Sequence, residues 1–328
     1  MRRREFIAGL AGAVALPTAT RAQRSEAPVL LGLLNGVSFE GPYAGSVAAI
    51  RRGLQEIGFV EGRNLAIEYR AAHGQYDRLP ELVADLVRSQ VMVIIAIGAS
   101  IPELVVKTAA ATVPIVFATG SDAVEVGVVN SLNRPGSNVA GAGAVVGSAS
   151  KRLELLLELR PGASLVGYLD NSRLSGPFDT NVDDITAAAR TRGRELVVFD
   201  AGTEREVETA FTQMALRRVR ALVLGSDPFL TGRQEQIVAL AAQSRLPTIY
   251  ATREAVILGG LMSYGVLTGD MYRVAGIYAG QILKGATPAE SPVALPARFA
   301  LVINNRTAQV LRINVPRRLL IRADEIID

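Results

Sequence analysis

The sequence predicts an α/β protein of two similar lobes, each built on a parallel sheet that helices cover on both faces. Two observations predict this fold class. Short continuous apolar runs alternate with stretches whose apolar residues recur at helical spacing, and a series of four such units occurs twice along the chain. Strands that are apolar on both faces are typical of parallel sheets between two layers of helices. Between the two series lies a turn-rich break, NRPGSN at residues 133–138, which predicts the end of the first lobe.

The first lobe takes its strands from four apolar runs, of which the third, VMVIIAI, contains no polar residue. These runs are 29–34, 65–69, 91–97 and 114–118. Helices are predicted between the strands, where apolar residues fall at i, i+3, i+4 and i+7. The helical stretches are 47–57, 79–87 and 100–110.

The second lobe opens with a helix at 151–159, KRLELLLEL, and then repeats the alternation of the first lobe. Its apolar runs are shorter but have the same character, and helical stretches lie between them. The predicted strands are 165–169, 196–199, 221–224 and 248–250. The predicted helices are 181–192, 204–216 and 232–244.

A second crossing between the lobes is predicted near the end of the second lobe. Residues 259–265, GGLMSYG, form a Gly-rich extended segment, and a helix at 272–283 follows it. We therefore expect the chain to leave the first lobe and to return to it. The predicted division is 28–143 plus about 267–290 for lobe 1 and 144–266 for lobe 2, with 291–328 assigned to neither.

The first 22 residues have the three-part layout of a secretory signal peptide: a basic start, an apolar run at 6–16, and small residues before Gln23. The pair Arg3-Arg4 also resembles a twin-arginine export signal. General export and an uncleaved membrane anchor are the alternatives, although the apolar run is only half of the roughly 20 residues that cross a bilayer. The leader predicts a periplasmic protein that is cleaved near Ala22.

Composition excludes several classes of site. The chain has no cysteine, which excludes disulfides, a lipid-modified Cys and a thiolate metal site, and it has one histidine, His73. Without the leader the formal net charge falls from +4 to about +1, and no Lys/Arg block remains that would indicate nucleic-acid binding. The dinucleotide, phosphate-loop and nucleophile-elbow motifs are missing. We therefore expect no cofactor, no metal and no catalytic residue.

The candidate ligand-binding residues are those that follow the predicted strands, because ligands of open parallel sheets bind beyond the carboxyl ends of the strands. Small polar residues recur there, and helix capping is their structural alternative. Asp122 could pair with a substrate ammonium, and aromatic residues could line the cleft or belong to the core. The candidates are Asn35, Ser38, Phe39, Ser100, Thr119, Ser121, Asp122, Asn171, Ser226, Asp227, Thr252 and Tyr264.

Seven stretches, in this order and at this spacing, resemble a known family. They are GFVEGRNLAIEYR at 58–70, DRLPEL at 77–82, NRPGSNV at 133–139, KRLELL at 151–156, GGLMSYG at 259–265, LKGA at 283–286 and LLIRADEII at 319–327. Together they resemble the ABC-transporter substrate-binding protein family that includes tryptophan- and phenylalanine-binding members. The resemblance runs from about residue 28 to the C-terminus.

The resemblance implies a type I periplasmic-binding-protein fold, with two Rossmann-like lobes, a hinge of crossing segments and one small carboxylate-bearing ligand in the cleft. It also implies delivery of that ligand, an amino acid or aromatic acid, by a monomer to a permease driven by a cytoplasmic ATPase. The family's ligand-holding positions correspond to Ser100, Ser121, Asp122, Asn171 and Ser226. One departure is that Ala123 stands where the family tends to carry a proline after the aspartate, which leaves the loop shape and the ligand open.

Two other functions remain compatible with the sequence. A periplasmic sensor module would bind a solute with the same lobes but signal to a membrane kinase. An exported α/β enzyme would have Asp122, Asp227 and Glu254 as its best candidates, yet none has a partner that resembles a catalytic arrangement. A solute-binding receptor is the function that the leader, the two lobes and the motifs favour together.

Overall fold

A computed structural model gives the structure of the chain at residues 28–98, 105, 109, 111–119, 123–124, 127–133, 135, 138–143, 148–172, 180–295 and 299–328. The predicted leader lies outside these residues. Two sheets, one in each half of the molecule, organise the fold. The α/β class with two mainly parallel sheets, predicted from the alternating apolar runs, is confirmed.

The first sheet has five parallel strands in the order β2-β1-β3-β4-β5. Their bounds are β1 Val29–Asn35, β2 Leu65–Ala71, β3 Val93–Ile97, β4 Ile115–Thr119 and β5 Val139–Gly143. The three central strands β1, β3 and β4 are almost wholly buried, as their continuous apolar sequences predict. Two helices of this half are α1 Ala44–Glu56 and α2 Leu79–Arg88.

Strand β5 was not predicted as a strand, because its sequence VAGAG lacks the bulky residues that mark the others. The structure explains the small residues. Gly141 has φ +154°, and a Cβ at this position would lie 2.2 Å from the carbonyl oxygen of Phe117 on β4. Only glycine permits this close approach between the two strands.

The second sheet has seven strands in the order β12-β11-β10-β9-β8-β6-β7. Its bounds are β6 Leu165–Asp170, β7 Glu195–Asp200, β8 Ala221–Leu224, β9 Thr248–Tyr250, β10 Met262–Val266, β11 Phe299–Asn304 and β12 Glu325–Ile327. All neighbours pair in parallel except β10 and β11. The sequence left residues 291–328 unassigned; two strands from this segment, β11 and β12, belong to the second sheet.

Helices cover this sheet as the sequence predicts, with one addition. The predicted helix 232–244 is present at Gln234–Gln243, and a short helix that was not predicted precedes it. Asp227 caps this short helix, which starts at Pro228, a residue favoured at a first helical position. The helices are α3 Ser148–Leu159, α4 Thr180–Thr191, α5 Glu204–Leu216, α6 Pro228–Gly232, α7 Gln234–Gln243 and α8 Arg253–Ile257. Two more, α10 Asn305–Val310 and α11 Arg317–Arg322, follow β11.

The chain passes between the two halves more than once. After β10 it forms α9, Thr268–Leu283, which packs against α1 of the first half. It then runs beside β5, where Ala294 exchanges backbone hydrogen bonds with Gly141 and Gly143, and it returns to the second sheet as β11. In the described part of the chain, no helix is long and apolar enough to span a bilayer.

Candidate ligand-binding site

The two halves touch at a partly buried polar contact between Tyr76 and helix α6. Tyr76 lies in a short 3-10 helix, Tyr76–Arg78, that follows β2. Its hydroxyl accepts a hydrogen bond from the Phe229 N–H at 3.0 Å and lies 3.4 Å from Oδ2 of Asp227. Because Tyr76 belongs to the first half and Asp227 to the second, this contact exists only while the halves are together.

Asp227 is held in place from its own half of the molecule. Its Oδ1 accepts hydrogen bonds from the Leu230 N–H and from Nδ2 of Asn171, each at 3.1 Å. The first of these bonds is the N-cap of α6, and the second links the ends of β8 and β6. Asn171 and Asp227, both predicted as site residues, are therefore brought together, and both are buried.

Burial sets the protonation of this cluster. Removal from water raises the pKa of Asp227 to about 6, although its hydrogen bonds from Asn171, Leu230, Phe229 and Tyr76 oppose the shift. The pKa of Tyr76 is also raised well above its ordinary value, first by burial and then by the nearby Asp227 carboxylate. Tyr76 therefore keeps its proton, and its hydroxyl can donate to the carboxyl oxygen of Asp227.

A groove of about 260 Å³ opens beside this contact. Residues 37–43 and 73–74 of the first half form one wall, and residues 229–233 of the second half form the other. The aromatic rings of Tyr43 and Phe229 line it, and the Arg233 guanidinium lies 5.8 Å from the centre of the Phe229 ring. The groove therefore combines apolar surface with cationic and hydroxyl groups, as small-molecule sites do.

The predicted residues after β1 form the loop that shapes this groove. Asn35 is fully buried and holds the loop from inside, because its amide donates to the Ser38 carbonyl at 2.9 Å and its Oδ1 accepts from the Val37 N–H at 3.3 Å. Ser38 lines the groove, and its hydroxyl accepts from the Glu40 N–H. Phe39 packs edge-on against Tyr69 with ring centres 5.3 Å apart.

Two further predicted residues, Ser226 and Tyr264, meet at a buried arginine. Nη2 of Arg152 donates to the Ser226 hydroxyl at 3.1 Å, and Nη1 lies 3.5 Å from the Tyr264 carbonyl oxygen. The Tyr264 ring stacks on Phe299 at 5.4 Å. Tyr264 thus contributes its backbone to this cluster, while its side chain covers the second sheet.

The other predicted residues lie elsewhere or outside the described part of the chain. Thr119 is fully buried at the end of β4. Thr252 precedes α8, and its hydroxyl donates to Oε1 of Gln234 at 3.0 Å instead of contacting another predicted site residue. Outside the described residues lie Ser100, Ser121 and Asp122.

Sequence reasoning missed Tyr76 and Arg152, whereas Tyr43 was among the aromatic residues expected to line the cleft. Tyr76 follows β2, and no residue after this strand is among the predicted candidates. Arg152 could have been found, because Leu155, Leu156 and Leu159 stand three, four and seven positions after it and are all buried. An arginine on the buried stripe of a helix is unusual, since arginine is almost never fully buried without a partner.

The described residues contain no group of three or more His, Cys, Asp or Glu side chains that could hold a metal ion. The arrangement that they do contain is a set of hydroxyl, amide and guanidinium groups at the carboxyl ends of β6, β8 and β10. Such a set can bind a polar small molecule by hydrogen bonds.

Several known proteins are similar to this chain over most of its length. The tyrosine-binding protein of Clostridioides difficile (strain R20291) is 25% identical over 261 residues, which are 79% of this chain and 74% of that protein. A Streptococcus pneumonia ABC domain, solved in complex with L-Trp, is 25% identical and superposes with a TM-score of 0.81 over 92% of this chain and all of that one. A conserved domain protein from Vibrio cholerae is 24% identical, with a TM-score of 0.82 over 91% and 99% of the two chains.

The fold of these solved structures is the one described above, two α/β halves with crossing segments, and the expected solute-binding-protein fold is confirmed. Family and fold are those of binding proteins, not of enzymes. Residues 37–327 match the family model for ABC transporter substrate binding proteins. This chain is a member of the ABC transporter substrate-binding protein family.

Proposed function

We propose that this protein is the solute receptor of an ABC importer, and that it captures an amino acid with an aromatic side chain between its two halves. The observation that carries the proposal is the direct contact of Tyr76 with Asp227 and Phe229 across the two halves. A receptor that closes on its solute needs such contacts, which form in one arrangement and break in the other.

The class of solute follows from the relatives and from the groove. One relative is a tyrosine-binding protein and another was solved with L-Trp, so both bind a carboxylate, an ammonium and an aromatic ring in one molecule. In this chain the rings of Tyr43 and Phe229 supply apolar walls. Aromatic walls favour a solute with a ring, because stacked and edge-on rings add to the burial of apolar surface.

The polar ends of that solute have candidate partners on both sheets. We propose Asn171, Ser226 and Asp227 as contacts from the second half, because they lie at the carboxyl ends of β6 and β8. Ser100, Ser121 and Asp122 follow β3 and β4 in the sequence and would supply the contacts from the first half. In this proposal the Asp122 carboxylate pairs with the solute ammonium.

The lobes of the proposed receptor are the two sheet-centred halves. Lobe 1 would hold residues 28–143 and about 267–290, and lobe 2 would hold 144–266 together with β11 and β12. Three crossings then form the hinge. Closure about them would present one face of the protein to a permease, which an ATPase drives from the cytoplasm.

The proposed place of work is the periplasm, reached with the leader 1–22, which is removed near Ala22. Replacing Arg3 and Arg4 by Lys tests the export route. Retention of the variant in the cytoplasm would support twin-arginine export, whereas unchanged export would support the general route. A mature protein that keeps the leader would contradict cleavage.

Binding is tested directly with the purified exported protein. We expect L-tryptophan, L-tyrosine or L-phenylalanine to raise the melting temperature, because a solute at a hundredfold excess over Kd stabilises the bound form by about 2.7 kcal/mol. Small-angle scattering should show a smaller radius of gyration with that solute. Uptake of the labelled solute should be lost when the gene is deleted. No change in melting by any of these solutes, together with an unchanged radius, would contradict the proposal.

A further inference from the structure

We propose that the guanidinium of Arg152 binds the carboxylate of the captured solute. This inference rests on the proposed function, and it assigns one residue and one chemical group to the site. The carboxylate would bind where the two halves meet, beside the carboxyl ends of β8 and β10 that Arg152 contacts.

The position of Arg152 in the fold brings it to the junction of the two halves. β5 ends at Gly143 in the first half, and α3 begins at Ser148 in the second, so Arg152 lies one turn into the first helix after a crossing. Its partner Ser226 directly precedes Asp227, which contacts Tyr76 of the other half. Its other contact, the Tyr264 carbonyl, lies on β10, which ends where the chain crosses back.

The donors of Arg152 are largely unused. The side chain is 2% exposed, and a guanidinium carries five N–H donors. One nitrogen donates to Ser226 at 3.1 Å, and another reaches the Tyr264 carbonyl only at 3.5 Å. Nε has no hydrogen-bond partner among the described residues. A buried donor without a partner is rare in folded proteins and calls for an explanation.

The charge of Arg152 is only partly compensated. No ion pair joins it to a carboxylate within the described part of the chain, and burial lowers its pKa more than the charges of Tyr168 and Asp170 raise it. An uncompensated buried charge destabilises a fold by several kcal/mol, and an apolar residue at the same place is often more stable. A leucine would continue the apolar stripe of α3. The arginine therefore needs a role other than stability.

A carboxylate supplies what the site lacks. Arginine and carboxylate form two parallel hydrogen bonds in one plane, and these charge-assisted bonds are stronger than neutral ones. The unpaired Nε and a neighbouring Nη offer that pair of donors. Aromatic amino acids carry this group, whereas their amides present a neutral C=O and NH₂ in the same shape. The acid and the amide are thus the probes that separate Arg152 from the rest of the site.

The test compares Arg152→Gln and Arg152→Lys with the unmodified protein by calorimetric titration of L-tryptophan, L-tyrosine, L-phenylalanine and their amides. We expect the unmodified protein to prefer the acid, and Arg152→Gln to lose affinity for the acid roughly 10- to 100-fold while its preference over the amide disappears. Arg152→Lys should keep part of that preference, because it keeps the charge but not the paired donors. The matched control is Arg160→Gln, an exposed arginine directly after the same helix, which should bind like the unmodified protein.

The outcomes separate the inference from the proposed function. If the unmodified protein binds the acids and Arg152→Gln binds them equally well, the role of Arg152 is wrong and the receptor proposal stands. If the unmodified protein binds acid and amide equally well, the proposed role of Arg152 is wrong. This comparison needs no variant, so it decides the question even if Arg152→Gln does not fold. If none of the acids binds, both proposals fail.

Discussion

The hydroxyl of Tyr76 lies 3.4 Å from the carboxylate of Asp227, although the two residues are 151 positions apart in the sequence. One belongs to the half built on the first sheet and the other to the half built on the second. The same hydroxyl accepts a hydrogen bond from the N–H of Phe229, which is itself buried. A single oxygen therefore satisfies two groups of the opposite half, and both depend on the halves staying together.

Replacing Tyr76 by Phe should weaken closure without disturbing either half. The buried Phe229 N–H loses its acceptor, and an unsatisfied buried donor costs about 1–3 kcal/mol. If solute binding requires the closed form, its affinity falls by roughly 5- to 150-fold. Calorimetric titration gives the affinity, and small-angle scattering should give a larger radius of gyration in the presence of subsaturating solute.

The matched control is Tyr278→Phe. The Tyr278 hydroxyl also makes a single hydrogen bond to the backbone, to the Pro292 carbonyl at 2.9 Å, but both residues lie on the returning segment that packs against the first half. This variant should bind solute like the unmodified protein. An equal loss of affinity in the two variants would contradict a specific role for the Tyr76 contact.

Asp227 should make stability fall as the pH rises from about 4 to about 6. Its ordinary pKa is 3.8, and burial raises that pKa to about 6 in the folded protein. Between these values the folded state holds a proton that the unfolded state has lost, so the contribution of this group to the free energy of unfolding decreases with pH, by at most about 3 kcal/mol. Above that window Asp227 is ionised in both the folded and the unfolded state, so its destabilising effect no longer changes with pH.

Asp227→Asn isolates this effect, because asparagine is neutral and also caps helices well. Urea unfolding at a series of pH values should show the variant gaining stability relative to the unmodified protein as the pH rises from 4 to 6.5. Carboxylates with lowered pKa, such as Glu154 and Glu325, act in the opposite direction, but equally in both proteins. A difference in unfolding free energy that does not change with pH would show that Asp227 is not a titrating group of this kind.

The pair Arg253–Glu325 should contribute little to stability despite its good geometry. Arg253 on α8 donates two hydrogen bonds to the Glu325 carboxylate on β12, at 2.5 and 2.6 Å. Both side chains are more than a third exposed, and solvent screens such pairs to below about 1 kcal/mol. We expect Glu325→Gln to lower the free energy of unfolding by less than that amount, and by even less in 0.5 M salt. A loss above about 2 kcal/mol would indicate that β12 depends on this pair.

The sequence predicted the two sheets well, because most of their strands are short and mainly apolar, which is typical of a buried parallel strand. Strand β5 escaped prediction because it consists of small residues. The close approach of Phe117 on the neighbouring strand requires glycine at position 141, and no local sequence pattern contains that contact. The site was predicted only in part. Asn171, Ser226 and Asp227 follow strands and were found by that rule, whereas the contact of Tyr76 with Asp227 depends on how the two halves meet.

Gly276 on α9 should be indispensable for the packing of the returning helix. A Cβ at this position would lie 2.2 Å from the carbonyl oxygen of Ile50 on α1, and a Cβ at Gly53 on the facing helix would lie 2.0 Å from the carbonyl oxygen of Arg273. These obstacles are backbone atoms, which cannot rotate away as a side chain can. Gly276→Ala should therefore force the helices apart and destabilise the fold by about 1–3 kcal/mol, even though alanine favours helix by about 1 kcal/mol over glycine. Gly269→Ala is the matched control, because it lies in the same helix with no atom within 4 Å of the added Cβ, and it should be neutral or stabilising. Thermal and urea unfolding of the two variants measure the difference, and equal stability of the pair would contradict the close approach of α1 and α9.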